Sequence, residues 1–185
     1  MKVDGNPKIV DVDIKTMTVG CIVLTIALSI LFVILNSVLH GRYEVTFTFW
    51  DILIFFICYL LLVIAHELFH LIGFIVFGKA KWSDIDYGFN LKLGVAYAHT
   101  SKILPNHAMK KAVLLPFWTT GVLPTAIGFM MDNFLILLLG AFLIAGAFGD
   151  MMMYKELRKF PNDAMVKDHP TLPVLYIYDS KKSSN

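Results

Sequence analysis

The chain has 185 residues, 57% of them hydrophobic and 16% charged, with a mean hydropathy of +0.69 and a formal net charge of +2. It is too apolar for an ordinary soluble domain and too short for more than one, which leaves a small protein crossing the membrane several times. Its basic residues are not interleaved with aromatics, which argues against nucleic acid as a partner, and Cys21 and Cys58 both fall in apolar runs, so neither a disulfide framework nor a thiolate metal site is on offer.

Residues 1–16 are polar and of mixed charge, and the alternation of Val, Asp and Ile there suits a short strand. From Met17 to about Leu39 no charge occurs, a length that suits one spanning helix. It has neither the purely basic start nor the small-residue cleavage site of a signal peptide, so it is expected to be a retained span. A second span over about 50–78 starts at the interfacial pair Phe49-Trp50 and ends against Lys79 and Lys81. Between 79 and 111 the alternation of Ile85, Tyr87, Phe89 and Leu91, a turn at 90–94 and a return at 95–97 predict a β-hairpin at the membrane surface. A third span, about 112–131, contains Pro116, Gly121, Pro124 and Gly128 and is expected to be kinked or broken. A tight turn at Asp132-Asn133 leads to a fourth span over about 134–154, and residues 155–185 form a polar tail with a frayed end.

The expected fold class is therefore a membrane all-α protein: four transmembrane helices in a single integral domain, with a small cytoplasmic hairpin between helices two and three. Four spans put both termini on one side, and every Lys and Arg except Arg42 then falls on that side. The positive-inside rule makes it the cytoplasm. The expected location is a bacterial cell membrane, with the lipid bilayer as a partner and the oligomeric state open.

Inside the second span stands His66-Glu67-Leu68-Phe69-His70, an H-E-x-x-H string. On a helix the two histidines lie one turn apart on one face, where two neutral imidazoles can grip one Zn²⁺ while Glu67 serves as general base toward a water. Charged groups at the bilayer centre cost at least ~2.5 kcal/mol each on insertion scales, so ionisable side chains grouped here call for a compensating role. The bland alternative is a polar helix contact. Asp150 lies as far into the fourth span, counted from Phe134, as His66 lies into the second, counted from Trp50; both helices run the same way, and Asp150 is the expected third ligand. Gly146, Ala147 and the Ala141, Ala145, Gly149 series would let a neighbouring helix approach. An interfacial carboxylate paired with Lys155 is the other reading of Asp150. Gly73 extends the string to H-E-x-x-H-x-x-G, but Val76 stands where a third histidine follows in soluble zinc proteases of that pattern.

The ordered set of H-E-x-x-H in a four-span chain, Tyr97-Ala98-His99, a proline-bearing span, Gly149-Asp150 and Asp168-His169-Pro170 resembles a family of membrane zincin peptidases over most of residues 45–175. It is more distantly similar to site-2 proteases, though Phe148-Gly149-Asp150 stands where they carry Leu-Asp-Gly. The resemblance implies a zinc metalloprotease acting on peptide bonds of membrane-bound or membrane-proximal substrates. His99, at the end of the hairpin, could border the mouth of the site or be a plain strand histidine. Asp168 and His169 could fold back as ligand, gate or substrate contact, or form a turn before Pro170. Two other readings stay open: a divalent-metal transporter or sensor, and a scaffold whose zinc ties two spans together. The transporter reading lacks the internal repeat such proteins often show.

Overall fold

The computed structural model describes residues 6–90, 95–170 and 172–179, so the predicted turn at 90–94 and the last residues of the tail lie largely outside the described residues. In chain order come strand β1 (Lys8–Asp11) and helices α1 (Ile14–His40) and α2 (Phe49–Val76). A 3₁₀ turn (Trp82–Asp84) leads to β2 (Ile85–Asn90), β3 (Val95–Thr100) and β4 (Leu104–Pro105). Then follow α3 (Asn106–Pro116), a π-helical segment (Phe117–Val122), α4 (Leu123–Met130), α5 (Phe134–Gly146), α6 (Phe148–Leu157), β5 (Met165–Asp168) and β6 (Val174–Tyr178).

Among the described residues three stretches are long and apolar enough to cross a membrane: α1, α2 and residues 106–130; α5 with α6 adds a fourth if that pair, bent by 41°, counts as one span. At 27 and 28 residues, α1 and α2 measure ~40 Å, more than the ~30 Å of bilayer hydrocarbon. Both keep large apolar side chains exposed along their length, among them Ile22, Ile26, Ile30, Leu60, Leu61 and Ile64. Such surface suits a lipid or protein neighbour rather than water.

The chain divides into two compact units. The first comprises residues 1–14, 67–115 and 149–185. Its strands form a two-stranded antiparallel hairpin, β2–β3, with Ile85 opposite Thr100 and Asp86 opposite His99, and a four-stranded antiparallel sheet in the order β1-β6-β5-β4. The expectation of a helical chain with one hairpin thus holds coarsely: the described residues are mostly helical, and a second, four-stranded sheet is added. The tail that looked merely polar supplies the two central strands of a sheet, and Val166, Leu175 and Ile177 bury their side chains there. Asn106 fixes where α3 starts: its Nδ2 donates to the carbonyls of Leu157, Phe160 and Pro161 at 2.9, 3.0 and 2.9 Å, capping the open end of α6. The helix thus begins before the predicted position 112.

The second unit comprises residues 15–66 and 116–148. Its core joins Phe32 of α1 to Phe134, Leu137 and Ala141 of α5. At the end of α1 the buried Asn36 donates its Nδ2 to Asp132 Oδ1 at 2.6 Å, Arg42 Nη1 lies 3.3 Å from Asp132 Oδ2, and His40 Nε2 donates to the Phe129 carbonyl at 2.8 Å. The predicted turn is present: Asp132 takes a positive φ of 49°, and Asn133 caps α5 by accepting from the Ile136 amide. The predicted break in the third span takes the form of the π segment, with Pro124 placed in the first turn of α4 just after it. The fourth span is not the unbroken helix expected over 134–154, because α5 ends at Gly146 and a new helix starts at Phe148.

Candidate metal centre

His66 and His70 project from one face of the unbroken helix α2 and are 9% and 8% exposed. Each ring is held from behind. The Nδ1 of His70 lies 3.2 Å from the Ala112 carbonyl oxygen, which can only accept, so Nδ1 carries a proton and the lone pair of the neutral ring is on Nε2. The Nε2 of His70 faces Asp150 Oδ1 at 3.5 Å, with the two side chains 10% and 19% exposed.

Local sequence explains why the Ala112 carbonyl is there to be used. In an α-helix the carbonyl of residue 112 accepts from the amide of residue 116, but residue 116 is proline and has no N–H. Gly73, one turn past His70, brings the backbone of α2 against that carbonyl: a Cβ on Gly73 would sit 2.6 Å from Ala112 Cα. The glycine of H-E-x-x-H-x-x-G is thus a packing necessity here.

Asp150 sits in the first turn of α6, where the helix dipole favours a carboxylate. Gly146 has open space where its Cβ would be, so it does not serve the close helix approach expected of it; it marks the end of α5. The break re-aims the chain just before Asp150.

His66 precedes His70 by one turn of continuous helix, so the helix itself sets their relative position. Among the described residues, His66, His70 and Asp150 form a group that could hold a metal ion, with their ligand atoms all within 4.8 Å of one another. Two ligands each ~2.0–2.1 Å from a tetrahedral ion lie ~3.3 Å apart, close to the observed His70–Asp150 spacing. Two imidazoles and a carboxylate are a donor set that zinc accepts, with a fourth position left over.

The family described as "Putative zincin peptidase" matches residues 59–165, more than half of the chain and all three of these side chains. The chain belongs to that family. No curated protein and no solved structure matches the chain. The zincin match begins within α2 and ends at the first residue of β5, so α1 and β6 lie outside it.

The remaining residues singled out in the zincin sequence occupy other places. His99, 7% exposed, pairs through Nδ1 with Asp168 Oδ2 at 3.1 Å, joining β3 to β5. His169 sits in the turn between β5 and β6, where its Nδ1 accepts from the Leu172 amide at 3.1 Å and its ring faces Tyr176. His99, Asp168 and His169 are not members of the three-ligand group. Glu67 is half-buried beside His66. The sequence reading missed Thr120, whose hydroxyl lies 3.1 Å from His66 Nδ1, and the Ala112 carbonyl. Nothing in the local pattern marked Thr120 apart from its position just past Pro116.

Proposed function

We propose that this chain is a zinc-dependent endopeptidase of the membrane, hydrolysing peptide bonds in membrane-embedded or membrane-proximal segments. The observation that carries the reading is the His66–His70–Asp150 group, whose spacing and donor types suit zinc, in a chain of the zincin family. Zinc held there supplies a Lewis acid that polarises the scissile carbonyl and acidifies water.

Glu67 performs the proton transfers. One carboxylate oxygen takes a proton from the attacking water as the water oxygen bonds to the carbonyl carbon, then returns it to the amide nitrogen as the C–N bond breaks, leaving a carboxylic acid and an amine, which exchange a proton to become carboxylate and ammonium. His66 and His70 hold their Nε2 atoms toward one point. Asp150 adds the negative charge that the two neutral rings lack. The free edge of the β2–β3 hairpin suits an extended substrate added as a further strand. Both termini and the hairpin are cytoplasmic in this reading, which rests on the distribution of lysine and arginine.

The test is cleavage of a fluorogenic transmembrane peptide library by protein reconstituted in nanodiscs, with zinc measured in parallel. Glu67→Gln should retain its zinc while losing activity by at least about 100-fold, the usual worth of a general base. Undiminished cleavage would eliminate Glu67 as the base. Metal flux into proteoliposomes that persists in Glu67→Gln, without cleavage by the wild type, would favour transport instead.

A further inference from the structure

We propose that Thr120 is a positioning residue of the metal centre: its hydroxyl sets the tautomer of His66 and so selects Nε2 as the ligand atom. The proposal rests on the metal-site reading given above.

Thr120 is 1% exposed and lies in the π segment, with its Oγ1 2.8 Å from the Pro116 carbonyl oxygen and 3.1 Å from His66 Nδ1. A hydroxyl has one proton and a carbonyl oxygen has none to give. The Thr120 proton therefore goes to Pro116, and the remaining contact requires Nδ1–H of His66 to donate to Oγ1. Neutral His66 then carries no proton on Nε2.

The carbonyl that orients the hydroxyl belongs to the same proline whose missing N–H leaves the Ala112 carbonyl to His70. Pro116 therefore stands behind both rings, His70 through Ala112 and His66 through Thr120. In a helix an Oγ1 bond to the carbonyl four residues back is common and by itself gives the hydroxyl oxygen no further partner. Here the π segment inserts part of an extra residue per turn, so the residues after Pro116 rotate relative to α3 and the buried hydroxyl meets His66. Valine has the same shape without the hydroxyl, and serine keeps the hydroxyl without the methyl, so the pair separates chemistry from packing.

The experiment compares full-length wild type, Thr120→Val and Thr120→Ser in nanodiscs with two readouts. Zinc affinity, by competition with a chelator, should fall ~10–100-fold in Thr120→Val and stay within about threefold of wild type in Thr120→Ser, as expected for an outer partner of a ligating histidine. In metal-free protein, ¹⁵N-histidine spectra should show His66 protonated at Nδ1 in wild type and Thr120→Ser, and shifted toward Nε2–H in Thr120→Val. Zinc binding by Thr120→Val equal to wild type, with an unchanged tautomer, would overturn the proposal. Equal losses in valine and serine would overturn it too, because they would trace the effect to packing. If valine prevents folding, Thr120→Ala puts the same question with the methyls removed. A wild type that binds no zinc but shows the Nδ1–H tautomer would refute the metal reading itself, a result distinct from either of these.

Discussion

Gly73 shows how one missing carbon shapes the site. Its hydrogen faces the backbone of Ala112, and a methyl there would meet Ala112 Cα at 2.6 Å and Ala112 Cβ at 2.9 Å. Neither of those atoms can swing away as a long side chain would, so Gly73→Ala must push α2 and α3 apart. The cost should be about 1–3 kcal/mol, the range of core overpacking, read as a lower thermal midpoint. Zinc affinity should fall as well, since the displaced Ala112 carbonyl no longer holds His70. At the turn between α4 and α5, the Asn36 amide hydrogen bond, aided by Arg42, holds the Asp132 carboxyl below its ordinary value despite some desolvation. A depressed folded-state pKa stabilises above the unfolded value of about 3.9 and loses that contribution as pH falls through the lower folded value. Asn36→Leu should therefore raise the Asp132 pKa toward the ordinary one, and a ¹³C-carboxyl titration by NMR checks it.

At the scale of elements, the proline in the third span carries more than a kink. Pro116 ends α3, opens the π segment and withholds the amide that would otherwise engage Ala112. Pro116→Ala restores that amide. The helix should gain a hydrogen bond and thermal stability while zinc affinity drops roughly tenfold, the low end for losing an outer partner of a histidine ligand. A variant that is both more stable and equally tight toward zinc would break the link between this helix and His70. The same elements mark how far the sequence could be read. The apolar runs located α1 and α2 within a few residues, because a span is a property of consecutive residues. The break at Ala147 escaped notice because the residues leading up to it, all of α5, are uniformly apolar, and a bend of 41° there changes no hydropathy. The β1-β6-β5-β4 sheet escaped because its strands are two to five residues long and draw on both ends of the chain.

For the whole molecule, zinc bound to the folded chain should appear as stability. At about 1,000 times Kd, a ligand specific for the folded state contributes ~4 kcal/mol, so a chelator should lower the thermal midpoint of wild type and leave His70→Ala unchanged. Orientation is checked by single cysteines in a background with Cys21 and Cys58 replaced by serine. Asp86→Cys and Asp163→Cys should react with an impermeant maleimide from the cytoplasmic side, and Glu44→Cys from the other. Labelling of Asp86→Cys and Glu44→Cys from the same side would remove the four-span reading.

Taken alone, the sequence determined the apolar, membrane-spanning character of the long helices and the approximate limits of the first two, the H-E-x-x-H face and the likeness to the zincin family. Hydropathy, helical periodicity and short motifs are all properties of neighbours along the chain. Depth counting even nominated Asp150, because a helix converts residue number into distance. Only the tertiary structure decided what stands behind each histidine and which oxygen faces it. His66 and Thr120 are 54 residues apart in the chain, and His70 and Ala112 are 42 apart. Contacts across such separations depend on a proline, a π segment and a glycine that let two helices close to within hydrogen-bonding reach, and no local pattern records that distance.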